Sequence, residues 1–242
     1  MYDFLKNLAE PTPRWLEEYS EANGFPNEAF FGSRIVFYPG SGSDGHAVKV
    51  FGSTRSAHCF VYADYGMSLD RLKAEIAHPN HGFLGYHVLA SHIMRLADVF
   101  PDGLHSTGHP RADSFAKEEP FCLFAVFERN EELHDNHGAS RFALLFIAAD
   151  AIAVYRSMFC QGVDAKPPFA ILLQDHGFGG NYDRFGGGGL MEEFASRYSV
   201  FPDFLLIADN TEPWADYARV PGTRGEHGGM HSHLRYLYRR LD

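Results

Sequence analysis

Apolar residues along the chain follow two rhythms: short continuous runs, and positions spaced every third or fourth residue. Residues 34–38, Arg34-Ile-Val-Phe-Tyr38, form a β-branched and aromatic run closed by Pro39-Gly40. That run reads as a strand ending in a sharp turn. Residues 58–63, 121–128, 141–148, 169–173 and 204–208 are runs of the same kind. Helical spacing recurs between them. Ser43 can cap a helix carrying Ala47, Val48, Val50 and Phe51, and Ser68 can cap one over 68–77 with Leu69, Leu72 and Ile76 on one face. Residues 85–99, 150–159 and 190–198 also read as helices.

Strand, Gly turn, helix, strand, helix is the pattern of a βαβ unit, so the sequence predicts an α/β protein. Residues 129–140, about a dozen, are too few for a parallel crossover through a helix. The runs on either side of them are therefore expected to pair antiparallel, which makes the sheet mixed. The tail over 233–241 fits two templates. Leu234, Leu237, Tyr238 and Leu241 match a helix, while Leu234, Tyr236 and Tyr238 match one face of a strand. Neither an internal repeat nor a linker stands out, so one domain is expected over 1–242. It carries a helical N-terminal extension over 1–32 and an irregular insertion over 78–120.

Composition narrows the class of partner. Lys and Arg number 21 against 31 Asp and Glu, a formal charge of −10, which disfavours nonspecific binding to nucleic acid or anionic membrane. Hydrophobic residues at 45 % and charged residues at 21 % suit a globular chain. Cys59, Cys122 and Cys160 form no C-x-x-C pair, and each sits in an apolar run, where a thiol packs as a small hydrophobe. No apolar run approaches the roughly 20 residues that span a bilayer. The opening Met1-Tyr-Asp-Phe-Leu-Lys6 lacks a basic region followed by an apolar one. The expectation is a soluble cytoplasmic protein acting on a small molecule.

The most specific motif is Gly40-Ser41-Gly42-Ser43-Asp44-Gly45, a G-x-G-x-x-G between a predicted strand and a predicted helix. Gly40 would let the chain turn, Gly42 would let backbone approach a ligand, and Gly45 would let helix pack on strand. Asp64 stands at the end of the next strand, where a carboxylate can hold the two hydroxyls of a ribose. On these residues the chain resembles the Rossmann-like superfamily, including the class I S-adenosylmethionine-dependent methyltransferases. The resemblance covers residues 34–77 as motif. It implies a Rossmann-like three-layer sandwich with a mixed, mostly parallel sheet, with Gly40 and Gly42 lining the cofactor and Asp64 on its ribose. The family usually carries an acid two positions before the first Gly, where this chain has Tyr38.

Charge helps to choose among ligands. The pyrophosphate of a dinucleotide favours an uncharged helix N-terminus, whereas Asp44 sits inside this loop. The sulfonium and ammonium of S-adenosylmethionine tolerate a carboxylate, so an adenosyl cofactor and methyl transfer lead. An NAD(P)-dependent oxidoreductase and a non-catalytic nucleotide-binding protein are the alternatives. Asp44 reads equally well as a helix-dipole acid.

Asp64, Asp150, Asp175 and Asp209 each follow a predicted strand, and ligands of open α/β sheets bind at strand carboxyl ends. The set could hold a cofactor or serve as bases, with Asp150 on the cofactor. Each could equally cap the next helix or turn. Asp175 and His176 open a Gly-rich loop and are the expected catalytic pair. Trp214 and Tyr217 could form an aromatic wall beside the same edge, or simply pack. His227, His231 and His233 are the densest histidine set, but no H-E-x-x-H or finger spacing accompanies them. No G-x-S-x-G is present, which disfavours a serine nucleophile.

Overall fold

Five of the short apolar runs form parallel strands side by side: β1 (Ile35–Pro39), β2 (Cys59–Ala63), β5 (Arg141–Ile147), β6 (Ala170–Leu173) and β7 (Phe204–Ala208). The computed structural model describes residues 34–39, 59–64, 67–77, 86–104, 121–130, 141–160, 167–173, 201–208, 216–221 and 235–241. Four more strands lie among them: β3 (Tyr86–Arg95), β4 (Phe121–Arg129), β8 (Tyr217–Arg219) and β9 (Arg235–Arg240). All nine form one sheet in the order β3-β4-β5-β2-β1-β6-β7-β9-β8.

Why these runs sit at the centre follows from their burial. Every residue of β1 and of β2 is buried, so neither strand has a solvent face, as expected where both sides of a parallel sheet are covered. Alternate side chains enter two separate cores. Ile35, Phe37, Cys59, Val61, Leu145 and Ile171 belong to one, and Val36, Tyr38, Phe60, Tyr62, Leu144 and Leu172 to the other. Helix α1 (Leu69–Ala77) adds Leu72 to the second core. The Oγ of Ser68 accepts from the Arg71 N–H at 3.3 Å, which is the predicted cap. The short helix α2 (Leu96–Val99) and helix α3 (Ala151–Phe159) pack on the first core, where Tyr155 and Phe159 lie 5.4 and 5.6 Å from the Phe37 ring.

Two expectations change and one that was open is decided. The helix expected over 85–99 is instead strand β3 followed by the single turn of α2. Tyr86, Val88 and Ala90 fit a two-residue alternation as well as a helical stripe, and the outer edge of β4 needs a hydrogen-bonding partner along nearly its whole length. The tail is a strand. β9 lies between β7 and β8 with Leu237 fully buried. The sheet is mixed, as expected, yet four of its eight pairings are antiparallel: β3 with β4, β4 with β5, β7 with β9 and β8 with β9. Parallel pairing is confined to the centre. The predicted antiparallel pair is β4 with β5. The expected elements over 1–32, 43–51 and 190–198 lie outside the described residues.

A bulge in β3 assigns its side chains to the two cores. The register with β4 shifts between Val88 and Ala90, so that no β4 residue is matched to Leu89. Before the bulge Tyr86 and Val88 pack against the second core; after it Ala90 and Met94 join the first. A polar cluster that spans three strands stands beside it. Glu128 of β4 takes two hydrogen bonds from Arg141 of β5, both 3.0 Å, and meets His87 of β3 at 3.4 Å.

Burial makes the fold sensitive to alkali. The Cys160 thiol is pushed up to about 12 by desolvation, from about 9, and desolvation raises Cys122 and Tyr155 as well. A raised folded pKa gives stability that is complete below the unfolded pKa and is lost as pH climbs toward the folded one. Urea-unfolding free energy should therefore hold up to about pH 8.5 and fall above it as the two thiols come into play, by at most about 1.4 kcal/mol per pH unit for each, with Tyr155 adding to the fall only above about pH 10. Cys160→Ala should make the fall shallower. Equal wild-type stability at about pH 8 and pH 10.5 would contradict this account.

Candidate functional site

All five central strands end at one edge of the sheet, and that edge is where an open α/β sheet binds ligands. The order in which strands are added switches sides at β1. From β1 the chain proceeds to β2 and then β5 on one side, and later to β6 and β7 on the other. The crevice of such a sheet lies at this reversal, between β1 and β6.

Asp64 is the first residue after β2, and its backbone N–H donates to the Ile147 carbonyl of β5 at 3.2 Å. That bond ties the ends of the two strands together. The Asp64 residue itself is partly exposed. Beyond β5 the chain turns at once: Ala148 N–H donates to Phe121 carbonyl at 3.1 Å and Ala149 N–H to Ile147 carbonyl at 2.9 Å. Asp150 then starts α3. Asp64 and Asp150 thus stand at the same edge, on neighbouring strands.

The two acids differ in what they do. Asp150 is 2 % exposed, and its Oδ1 accepts from the N–H of Ile152 at 3.0 Å and of Ala153 at 3.2 Å. Its backbone at φ −60°, ψ 127° is the extended geometry of an N-cap. The capping alternative describes Asp150, and Asp64 is the more exposed residue of the pair. Gly40, Ser41, Gly42, Asp44 and Gly45, which follow β1 in sequence, lie outside the described residues. So do Asp175, His176, Asp209, Trp214 and the tail histidines. Strands β6 and β7, which precede Asp175 and Asp209, end at the same edge as β2 and β5.

Tyr217 is not part of this edge. It pairs with Arg240 in a register that sets Arg239 beside Phe204, the first residue of β7, so it lies at the amino end of the sheet. Its hydroxyl donates to the Pro202 carbonyl and its ring is buried in the first core. Packing is therefore its role, and burial pushes its phenol up. All three cysteines are buried free thiols. Among the described residues no group of three or more His, Cys, Asp or Glu could hold a metal ion. No described helix is long and apolar enough to cross a membrane.

One feature of the edge was not singled out from sequence. Tyr38 and Tyr62 occupy matched positions on β1 and β2, and their fully buried rings meet edge to face at 5.2 Å and 80°. They lie two residues before Gly40 and Asp64 in the chain. The signal was an aromatic at the same place in two successive strands.

No family model matches the chain, and no curated protein matches it. Among solved structures it is similar to yhhF of Escherichia coli, a protein assigned as a methyltransferase, with 10 % identity, a TM-score of 0.38, and coverage of 97 % of this chain and 90 % of that one. It is also similar to a protein of Haemophilus influenzae assigned as a methylase, with 7 % identity, a TM-score of 0.32, and coverage of 97 % and 92 %. The resemblance to methyltransferases is weak by both measures.

The cap makes a prediction about Asp150. Replacing it with Ala should destabilise the protein by about 1–2 kcal/mol, the upper range for a lost N-cap, while Asp150→Asn should retain most of the stability. Thermal unfolding of the two variants checks this. Equal destabilisation by both would mean that the charge, not the cap, is what α3 needs.

Proposed function

We propose that this protein binds an adenosyl cofactor, S-adenosylmethionine, at the carboxyl edge of its central strands, and that it is a methyltransferase. The observation that carries the reading is Asp64. It is a partly exposed carboxylate at the end of β2, beside the strand whose next residues are Gly40-Ser-Gly42. A carboxylate there suits two ribose hydroxyls. The sequence suits the group: Asp64 for the ribose, Gly40-Ser41-Gly42 for the turn and close backbone approach, Gly45 for packing of the following segment, and Asp44 for the cationic end. When bound, the cofactor supplies an activated methyl group. Asp175 or His176 would take a proton from the acceptor, since their loop follows β6 at the same edge.

Topology favours a ligand with one nucleoside over a dinucleotide. A dinucleotide fold is built from two mononucleotide-binding halves, each of three parallel strands. Here β1, β2 and β5 make one such half. After β6 and β7, however, the next strand in space is β9, which runs antiparallel. The second half is thus incomplete. Helix α1 on one core and α3 on the other support a three-layer arrangement. The three free thiols suit the reducing conditions of the cytoplasm.

The test is calorimetric titration with S-adenosylhomocysteine and with a nicotinamide dinucleotide. Wild type should bind the first. Asp64→Ala should weaken binding by about 1.5–3 kcal/mol, the range for hydrogen bonds to a charged group, which is roughly 10- to 100-fold. Asp44→Asn should weaken S-adenosylhomocysteine binding or leave it unchanged. Binding of the dinucleotide alone, tightened by Asp44→Asn, would replace this reading with the oxidoreductase.

A further inference from the structure

The passage from β5 into α3 has no slack. Ile147 is the last residue of β5 and Asp150 caps α3, so only Ala148 and Ala149 join strand to helix. Both are fully buried, Ala148 in the second core and Ala149 in the first. Their backbones are tied as well. Ala148 N–H donates to the Phe121 carbonyl of β4 at 3.1 Å, and Ala149 N–H donates to the Ile147 carbonyl at 2.9 Å.

The Ile147 carbonyl serves twice. A carbonyl oxygen has two lone pairs, and this one also accepts the Asp64 N–H at 3.2 Å. The same atom thus holds the end of β2 and the turn into α3. Beyond the turn, the Asp150 Oδ1 accepts from the N–H groups of Ile152 and Ala153, at 3.0 and 3.2 Å, and both residues are buried. A continuous path therefore leads from the cap through Ala149 and the Ile147 carbonyl to the Asp64 N–H. Its two ends differ in access. Asp64 is partly exposed and can meet a ligand directly, whereas Asp150 is buried and acts through its neighbours.

We propose that Asp150 is a positioning residue for ligand binding: by fixing the start of α3 it sets, through Ala149 and the Ile147 carbonyl, where the Asp64 carboxylate stands. This role rests on the adenosyl reading, in which Asp64 holds the ribose hydroxyls, and it gives Asp150 no contact with the ligand. Loss of the cap strands the N–H groups of Ile152 and Ala153, and the first turn of α3 moves to satisfy them. Ala148 and Ala149 are packed on opposite cores, so the movement is passed along the backbone rather than absorbed. At Asp64 a small displacement degrades the bonds to both hydroxyls together, because one carboxylate must meet the two in a fixed geometry.

A double-mutant cycle, read by calorimetric titration with S-adenosylhomocysteine, separates positioning from stability. Asp150→Ala should weaken binding roughly 3- to 10-fold in the wild-type background and less than about twofold when Asp64 is already Ala, since residues that act through one another are not additive. Asp150→Asn, which keeps a capping oxygen, should bind within about twofold of wild type. Asp150→Gly loses the side chain at little cost to the helix, and it gives the same comparison if Asp150→Ala folds poorly. Tyr217→Phe removes a buried hydrogen bond at the amino end of the sheet, and it should lower the melting temperature without changing affinity. Equal weakening by Asp150→Ala in both backgrounds overturns the proposal. Unchanged affinity in a folded Asp150→Ala or Asp150→Gly protein overturns it too, as does a comparable loss of affinity in Tyr217→Phe. Asp64→Ala that binds as tightly as wild type would overturn the adenosyl reading itself, and this role with it.

Discussion

Burial of the central strands on both faces is the constraint from which the rest of the molecule follows. Every residue of β1 and β2 is buried, and their alternate side chains feed two separate cores. A slip of one residue in register would exchange every side chain between those cores. It would put Tyr155 and Phe159 of α3 against the wrong partners on β1, and break the Tyr38–Tyr62 contact at 5.2 Å and 80° on the other side. Backbone polar groups inside such a sheet have the ladder as their partner. Polar chemistry is thereby excluded from the strands and confined to their ends, and this is why Asp64 and Asp150 are found one residue and three residues past β2 and β5.

The centre of the fold was readable because its signal is local. A run such as Cys59–Ala63, apolar at every position and bounded by polar residues, has few alternatives. The β4–β5 pairing was readable from the shortness of its connection. The sheet margins were not, since there propensity and tertiary demand diverge. Residues 86–95 carry apolar groups at spacings that serve a helix or a strand, and what decides is the open edge of β4, which a one-dimensional pattern does not contain. β9 is the same case, decided by β7. At the candidate site, Asp64 kept its expected place at a strand end. Asp150 was ambiguous between cap and ligand because both uses need a carboxylate at the start of a helix. Only the 3.0 and 3.2 Å bonds to Ile152 and Ala153 separate them.

Tyr217 takes the packing alternative rather than the aromatic wall. Its sequence position, after the last parallel strand, placed it near the carboxyl edge. Strand β8 pairs with β9, and β9 runs back along β7, so the chain between β7 and β8 has travelled to the amino end before Tyr217 is reached. Eight residues, 209–216, separate the two strands, enough for extended chain to cross the depth of the sheet at roughly 3.3 Å per residue. Proximity in sequence is therefore a poor guide to edge once a sheet contains a reversed strand.

Tyr38 bears most directly on the chemistry. Class I methyltransferases usually carry an acid at this position, and here the side chain is fully buried with its ring against Tyr62. A carboxylate in that place would be desolvated among Val36, Phe60 and Leu172 of the same core, at a cost of several kcal/mol unless paired. The chain has instead continued its hydrophobic core to within two residues of Gly40. A cationic group bound at this edge would then have to meet its counter-charge beyond the strands, from Asp64 at the end of β2 or from acids such as Asp44 and Asp175 in the segments that follow β1 and β6. The aromatic pair closes the sheet at this edge, so on the proposed reading recognition falls to residues that follow the strands.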